Sequence, residues 1–317
     1  MVETVRGPVD TEALGTTLMH EHVFVLNEEI RVNYPADWDE GDRVDDAILK
    51  LNALAKRGCQ TIVDPTVVGL GRDIRRIIRV ADGTSLNIIA ATGLYTYNDV
   101  PFYFRYRGPG ADGLDPMARL FIGDLTTGIA GTQVKAAFLK CAIDEPGMTP
   151  GVERVLRAVC QAHAETGAPV TVHTHPHSFT GRAALDVLRA EKADLSKVVL
   201  GHSGDTTDLD YLSELADSGC LLGMDRFGLD LITPFEDRVG TVAAMCERGY
   251  ADRMVLSHDA ACHIDWFPAE VIPRFAPAWH FEHLFDDVLP ALRERGVTKS
   301  QIQTMLVDNP RRYFSGS

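Results

Sequence analysis

Residues 136–175 read "AAFLKCAIDEPGMTPGVERVLRAVCQAHAETGAPVTVHTH", and this stretch shows how the chain is laid out. The apolar run 136–143 has strand length and is apolar on both faces. A helix pattern follows, with Thr149 to cap it, Pro150 in its first turn and Gly167 to close it. A second apolar run, 169–175, comes next. Strands that are apolar on both faces and alternate with helices suit a parallel sheet covered on both sides.

The same alternation extends in both directions. The strand candidates are 16–25, 61–67, 87–93, 136–143, 169–175, 197–203, 220–226 and 253–259. Between them, "VDDAILKLNALAKRG" (44–58) has apolar residues at 44, 47, 48, 51, 54 and 55, with Gly58 at its C-terminal cap. Segments 206–219 and 236–249 repeat the scheme. "GRDIRRIIRV" (71–80) reads as a solvated basic helix face over buried Ile and Val. Eight strand–helix units predict a (β/α)8 TIM barrel, an α/β fold, as a single domain over 1–317. A doubly wound open sheet is the alternative, but no G-x-G-x-x-G follows the first strand.

Composition narrows the function classes. The chain has 317 residues, 45% of them apolar, and a formal net charge of -14. Such acidity disfavours nucleic acid and anionic membranes as partners. No apolar run has the length of a membrane span, and "MVETVRGPVDTEALG" lacks the pattern of a secretion signal. Cys59, Cys141, Cys160, Cys220, Cys246 and Cys262 form no C-x-x-C pair. Reduced core thiols in a cytoplasmic protein are expected. Cys262 follows a polar motif and has a minor claim to a place near a site.

In (β/α)8 barrels the chemistry collects at the C-terminal ends of the strands. "TTLMHEHVFV" (16–25) puts His20 and His22 on one strand face and Glu21 on the other. Lys140 lies mid-strand in 136–143, and His173, His175 and His177 end the fifth strand. His202 ends the sixth, and Asp259 the eighth. Burying such groups unpaired costs several kcal/mol each, and a metal centre would compensate. His173 lies deeper than His175 and His177 and is the preferred ligand, leaving those two on the rim. His258 has the opposite parity to Asp259 and packs behind the strand. His163, His263, His280 and His283 read as structural.

Lys140 carries further information. Burial lowers the pKa of an ammonium, and a neutral amine can add carbon dioxide to become a carbamate. Together with Asp259 and a hydroxide, that anion nearly balances two divalent ions. Lys135 is a weaker candidate, at the strand entry and on the opposite parity. A Schiff-base lysine is the rival reading of Lys140, but it leaves the four histidines unexplained.

Taken together, the H-x-H pair, strand-four lysine, two later histidines and "SHD" resemble the binuclear amidohydrolases, and among them the phosphotriesterase family. The resemblance runs from "TLMHEHVFV" (17–25) to "DNPRRYFS" (308–315). It implies that His20, His22 and Asp259 hold the more buried metal and His173 and His202 the more exposed one. N6-carboxylated Lys140 would bridge the two. The ions would be divalent transition metals, zinc first, with iron, cobalt or manganese as alternatives.

"TGLYTYNDVPFYFR" (92–105), "GMDRFGLDL" (223–231) and "SHDAACHIDW" (257–266) are similar to the phosphotriesterase-like lactonases. There Tyr95 and Arg226 would sit beside the metals and the lactone carbonyl, and Trp266 would form a pocket wall. Ala261 departs from bulkier residues in relatives and leaves pocket size open.

The implied activity is opening of lactone rings, including the N-acyl homoserine lactones of quorum quenching, with phosphotriester hydrolysis as a side reaction. Asp259 would shuttle the proton. Loop 264–279, "IDWFPAEVIPRFAPAW", would line an acyl channel, or its prolines would only stiffen it. The rivals are a dedicated phosphotriesterase (an aryldialkylphosphatase), a Schiff-base aldolase and a non-catalytic metal-binding module. Phe102, Tyr103, Phe104 and Tyr106 in an exposed loop imply a homodimer, as in the related lactonases.

Overall fold

The computed structural model describes residues 1–35, 38–268 and 270–315. A hairpin of β1 (Val2–Thr4) and β2 (Gly7–Val9) leads into ten further strands. These are β3 (Thr17–Leu18), β4 (His22–Val25), β5 (Thr61–Asp64), β6 (Asn87–Gly93), β7 (Phe138–Ile143) and β8 (Val170–Thr174), then β9 (Val198–Gly201), β10 (Leu221–Met224), β11 (Met254–Leu256) and β12 (Ala261–Ile264). An eight-stranded sheet runs in the order β3-β5-β6-β7-β8-β9-β10-β11, with every pairing parallel. With helices between successive strands this is a (β/α)8 barrel. Its strands are buried on both faces, as the unbroken apolar runs require.

Local signals act where the sequence puts them. Thr149 accepts a hydrogen bond from the Val152 amide at the start of helix Pro150–Thr166, and Gly167 closes it at φ 70°. A cap of this kind contributes about 1 kcal/mol. Gly58, at φ 97°, follows the helix Glu40–Lys56. Inward-facing Val63, Ile89, Ala91, Phe138, Val199, Leu221 and Val255 fill the barrel, and Tyr313 and Phe314 of the last helix join this interior cluster. The Tyr313 hydroxyl lies 3.0 Å from Thr171 Oγ1, so the last helix fills the lower interior of the barrel.

Four expectations change. The first strand is not continuous over 16–25: it breaks into β3 and β4 around residues 19–21. The eighth, expected over 253–259, ends at Leu256 as β11, and β12 follows it as a further strand outside the expected range. Here the barrel closes, and β4 pairs with β12 as a separate parallel couple, Ala261 opposite His22 and His263 opposite Phe24.

The basic helix Ile74–Asp82 is not simply solvated. Arg76 is 1% exposed, pairs with Glu28 at 2.9 Å and Glu40 at 3.3 Å, and lies against the Phe24 and Trp38 rings. Periodicity misplaces it because guanidinium planes stack well on aromatic faces while their charge is paired. In the 97–108 loop, Phe102, Tyr103 and Tyr106 are exposed, but Phe104 is buried in the core. All six cysteines are buried and free. Among the described residues, no helix is long and apolar enough to cross a membrane.

Candidate functional site

The polar residues singled out in the strands converge at the barrel mouth. His20 Nε2 and His22 Nε2 each lie 3.2 Å from Asp259 Oδ1. Lys140 Nζ lies 3.5 Å from His20 Nε2. His173 Nδ1 and His202 Nε2 approach each other to 2.9 Å. The His20 and His202 rings stand 4.9 Å apart, centroid to centroid, so the two groups form one cluster. His202 and Asp259 hold left-handed backbone, with φ 63° and 57°, without being glycine. Such conformations cost of order 1–3 kcal/mol and persist where the surroundings over-determine them. Here they turn both side chains inward just past β9 and β11.

Each imidazole has a partner on its other nitrogen. His22 Nδ1 bonds Thr66 Oγ1 at 2.7 Å, and the Thr66 amide donates to Asp64 at 2.9 Å. His173 Nε2 bonds Asp144. Asp225 serves two rings: its Oδ2 is 3.0 Å from His20 Nδ1 and its Oδ1 is 2.9 Å from His202 Nδ1. These bonds orient the free nitrogens toward the centre, which is how outer carboxylates tune metal-binding histidines. Gly223 makes room for Asp225. A Cβ there would lie 2.3 Å from Asp225 Oδ2.

Electrostatics follow from burial and neighbours. Burial lowers the His173 pKa to about 4. Burial, helped by the Arg226 charge, holds His202 well below the usual imidazole value. Burial and Lys140 lower His20. Burial would also lower His22, but hydrogen bonds to Asp259 and Asp64 outweigh it and raise that ring to about 9. Burial lowers Lys140 to about 8.

Neutral imidazoles and a carboxylate are the donors that divalent transition metals take. His20, His22 and Asp259 offer ligand atoms within 4.8 Å of one another, as do His20, His202 and Asp225. The donor set therefore fits a metal centre. A protonated Lys140 amid these donors does not, and His22, raised to about 9 by Asp259 and Asp64, has to give up its proton to serve as a ligand.

A cavity of about 230 Å³ opens over the cluster. Tyr95, Tyr97 and Arg226 contribute polar groups to its lining, and Leu229, Ile232, Trp266, Phe267 and Trp279 apolar ones. Tyr95 hydrogen-bonds Tyr97, and its hydroxyl is 3.3 Å from His173 Nδ1. Arg226 donates from Nε to Asp259 Oδ2 and from Nη1 to Asp205 Oδ2, both at 2.9 Å. His175 and His177 stand on the rim, while His258 is fully buried behind the strand. The Cys262 thiol faces Ala47 O and is not part of the cavity lining. Sequence reasoning passed over Tyr97, Asp144, Asp205 and Asp225. A signal existed for Asp225 and Asp144: each is an acidic residue directly past the end of a strand.

A (β/α)8 barrel with these donors at its mouth defines a metal-dependent hydrolase. The chain belongs to the phosphotriesterase family, whose sequence model matches residues 1–314 and whose members depend on a binuclear metal centre. It is 59% identical to the phosphotriesterase from Mycobacterium tuberculosis, whose structure superposes with a TM-score of 0.97 over 99% of this chain and 98% of that one. It is 41% identical over 312 residues to an aryldialkylphosphatase of Saccharolobus solfataricus, covering 98% of each chain. A mutant of the PTE-like lactonase of Deinococcus radiodurans is 33% identical, with a TM-score of 0.90 over 99% of this chain and 100% of that one.

The crowding at Gly223 has a measurable consequence. Gly223→Ala is expected to displace the Asp225 carboxylate and weaken metal binding by about tenfold or more. Metal content after graded chelation checks this, and wild-type retention would show that Asp225 is dispensable.

Proposed function

We propose that this protein opens lactone rings, N-acyl homoserine lactones included, and hydrolyses phosphotriesters as a weaker side reaction. The observation that carries the reading is the meeting of polar donors and apolar surface in one cavity: Tyr95 and Arg226 line it beside the donor cluster together with Trp266, Phe267 and Trp279, and the Tyr95 and Trp266 rings stand 6.4 Å apart, centroid to centroid. His20, His22 and Asp259 would hold one divalent ion and His173 and His202 the second, with Lys140, once carboxylated, as a further anionic ligand. Zinc suits this donor set, as do iron, cobalt and manganese. Such a pair supplies a water of lowered pKa and an electrophile for the carbonyl.

The chain's own residues do the rest. Burial keeps the Tyr95 hydroxyl protonated, its pKa held well above the usual phenol value, so it donates to the carbonyl oxygen as charge develops there. Burial opposes ionisation of Asp259, but the neighbouring His20, His202, His22 and Arg226 hold its carboxyl well below the usual range. Asp259 takes a proton from the attacking water and passes it to the ring oxygen as the ring opens. Arg226, itself paired with Asp205, orients Asp259 and stays charged. Trp266 bounds the apolar face of the ring.

A second cavity, of about 810 Å³, shares Ala261, Ile264, Phe267 and Trp279 with the first. Both lie against loop 264–279, of which residue 269 is outside the described residues. An acyl chain leaving the first cavity would run into the second. The aryldialkylphosphatase relative favours a second reading, a dedicated phosphotriesterase. A non-catalytic metal-binding module would have no use for Asp259 and Arg226 held in contact. Exposed Phe102, Tyr103 and Tyr106 further suit a homodimer interface.

Four measurements test these points. Lactone kcat/KM should exceed that for an aryl phosphotriester by at least about tenfold, some 1.4 kcal/mol of transition-state binding. Tyr95→Phe should reduce lactone turnover the more, since an aryloxide leaves with less help. A preference for the phosphotriester would overturn the assignment.

Lys140→Ala should lose most metal, with partial restoration by acetate or propionate; full occupancy in the variant would remove the bridge. Only the neutral amine adds carbon dioxide. Bicarbonate-dependent metal loading of the stripped protein should therefore rise as pH passes upward through about 8. Sedimentation at micromolar concentration should give a dimer, and a 34.8 kDa species alone would exclude it.

A further inference from the structure

We propose that Glu21 and His258 are positioning residues. Glu21 lies between the two histidines of strand one and His258 immediately before Asp259. Together they clamp the barrel seam from outside, set the Asp259 carboxylate, and tie it to the cavity wall at Trp279. Both side chains are fully buried, on the side of their strands away from the cavity.

Glu21 Oε1 accepts hydrogen bonds from the His258 amide at 2.9 Å, from His258 Nδ1 at 2.6 Å and from Ser257 Oγ at 3.1 Å. Its Oε2 accepts from the Ala260 amide at 3.1 Å. One carboxylate thus holds the amides on both sides of Asp259, while the Asp259 amide donates to His20 O at 3.0 Å. That arrangement fixes the left-handed turn at φ 57°. His258 Nε2 accepts from the Leu284 amide at 2.9 Å, so its proton sits on Nδ1, facing Glu21. Its carbonyl accepts from Trp279 Nε1 at 2.8 Å. One side chain that accepts four hydrogen bonds across the seam stiffens it where ladder bonds are few.

The inference rests on the binuclear reading of the site. Its test uses full-length protein loaded with zinc or cobalt(II) and a chelator titration that needs no substrate. Glu21→Gln and His258→Ala are expected to melt cooperatively but to release one of two ions at least about tenfold more readily, with an altered visible spectrum of the cobalt form. His258→Asn, whose amide N–H can still reach Glu21, is expected to restore most of the affinity. A purely structural role would lower the melting temperature and leave both metal readouts unchanged.

Wild-type chelator resistance in His258→Ala, or the same weakness in His258→Asn as in His258→Ala, would overturn the proposal. If Glu21→Gln does not fold, the His258 pair still decides. Wild-type protein that binds fewer than two ions would count against the binuclear reading instead.

Discussion

Closing a parallel barrel requires the first and last strands to meet, and here they meet badly as backbone. β3 and β11 form the two edges of the eight-stranded sheet, and between them run only a few main-chain bonds, such as Asp259 N to His20 O and His22 N to Ala260 O. Buried amides left without partners would be costly. The chain satisfies them with side chains: Ser257 Oγ accepts from the His20 amide, and Glu21 takes the amides of His258 and Ala260. The break in the ladder lets His20, His22 and Asp259 turn into the mouth. Closure and chemistry are therefore one structural problem.

From that seam the site grows outward in layers. Imidazole rings turn freely until something fixes their rotation, and Asp225, Thr66 and Asp144, each just past the end of another strand, do so. Asp225 links His20 to His202, so the two halves of the cluster share one rigid support. Charges are nested in the same way. Arg226 lies between Asp259 and Asp205, and Asp205 also faces Arg238 at 2.7 Å. Alternating signs let buried ions persist where any one alone would be expelled. The lower barrel, packed with Phe138, Tyr313 and Phe314, gives this array a floor that does not yield.

Above the floor the polar array meets an apolar wall from loops after β10 and β12. Under the proposed function, the ester head of a lactone would meet the polar donors and its alkyl or acyl body the apolar residues. Leu229 and Ile232 come from the loop that follows Arg226, and Trp266 and Phe267 from the one that follows β12.

The sequence by itself determined the strand–helix alternation, the capped helices and the inward parity of Lys140, His173, His20 and His22, because each depends on local periodicity and local backbone chemistry. It also carried the six candidate ligands, because polar residues inside apolar strands stand out against their neighbours. Only the tertiary structure decided what depends on partners far away in the chain. Asp225 acts on His20 across 205 residues, and Glu21 on His258 across 237. Arg76 looks solvated until Trp38 and Glu28 cover it. The break in strand one and the early end of strand eight follow the same rule: local propensity favours continuous strands, and the geometry of closure overrides it at the one place where the two ends of the sheet must join.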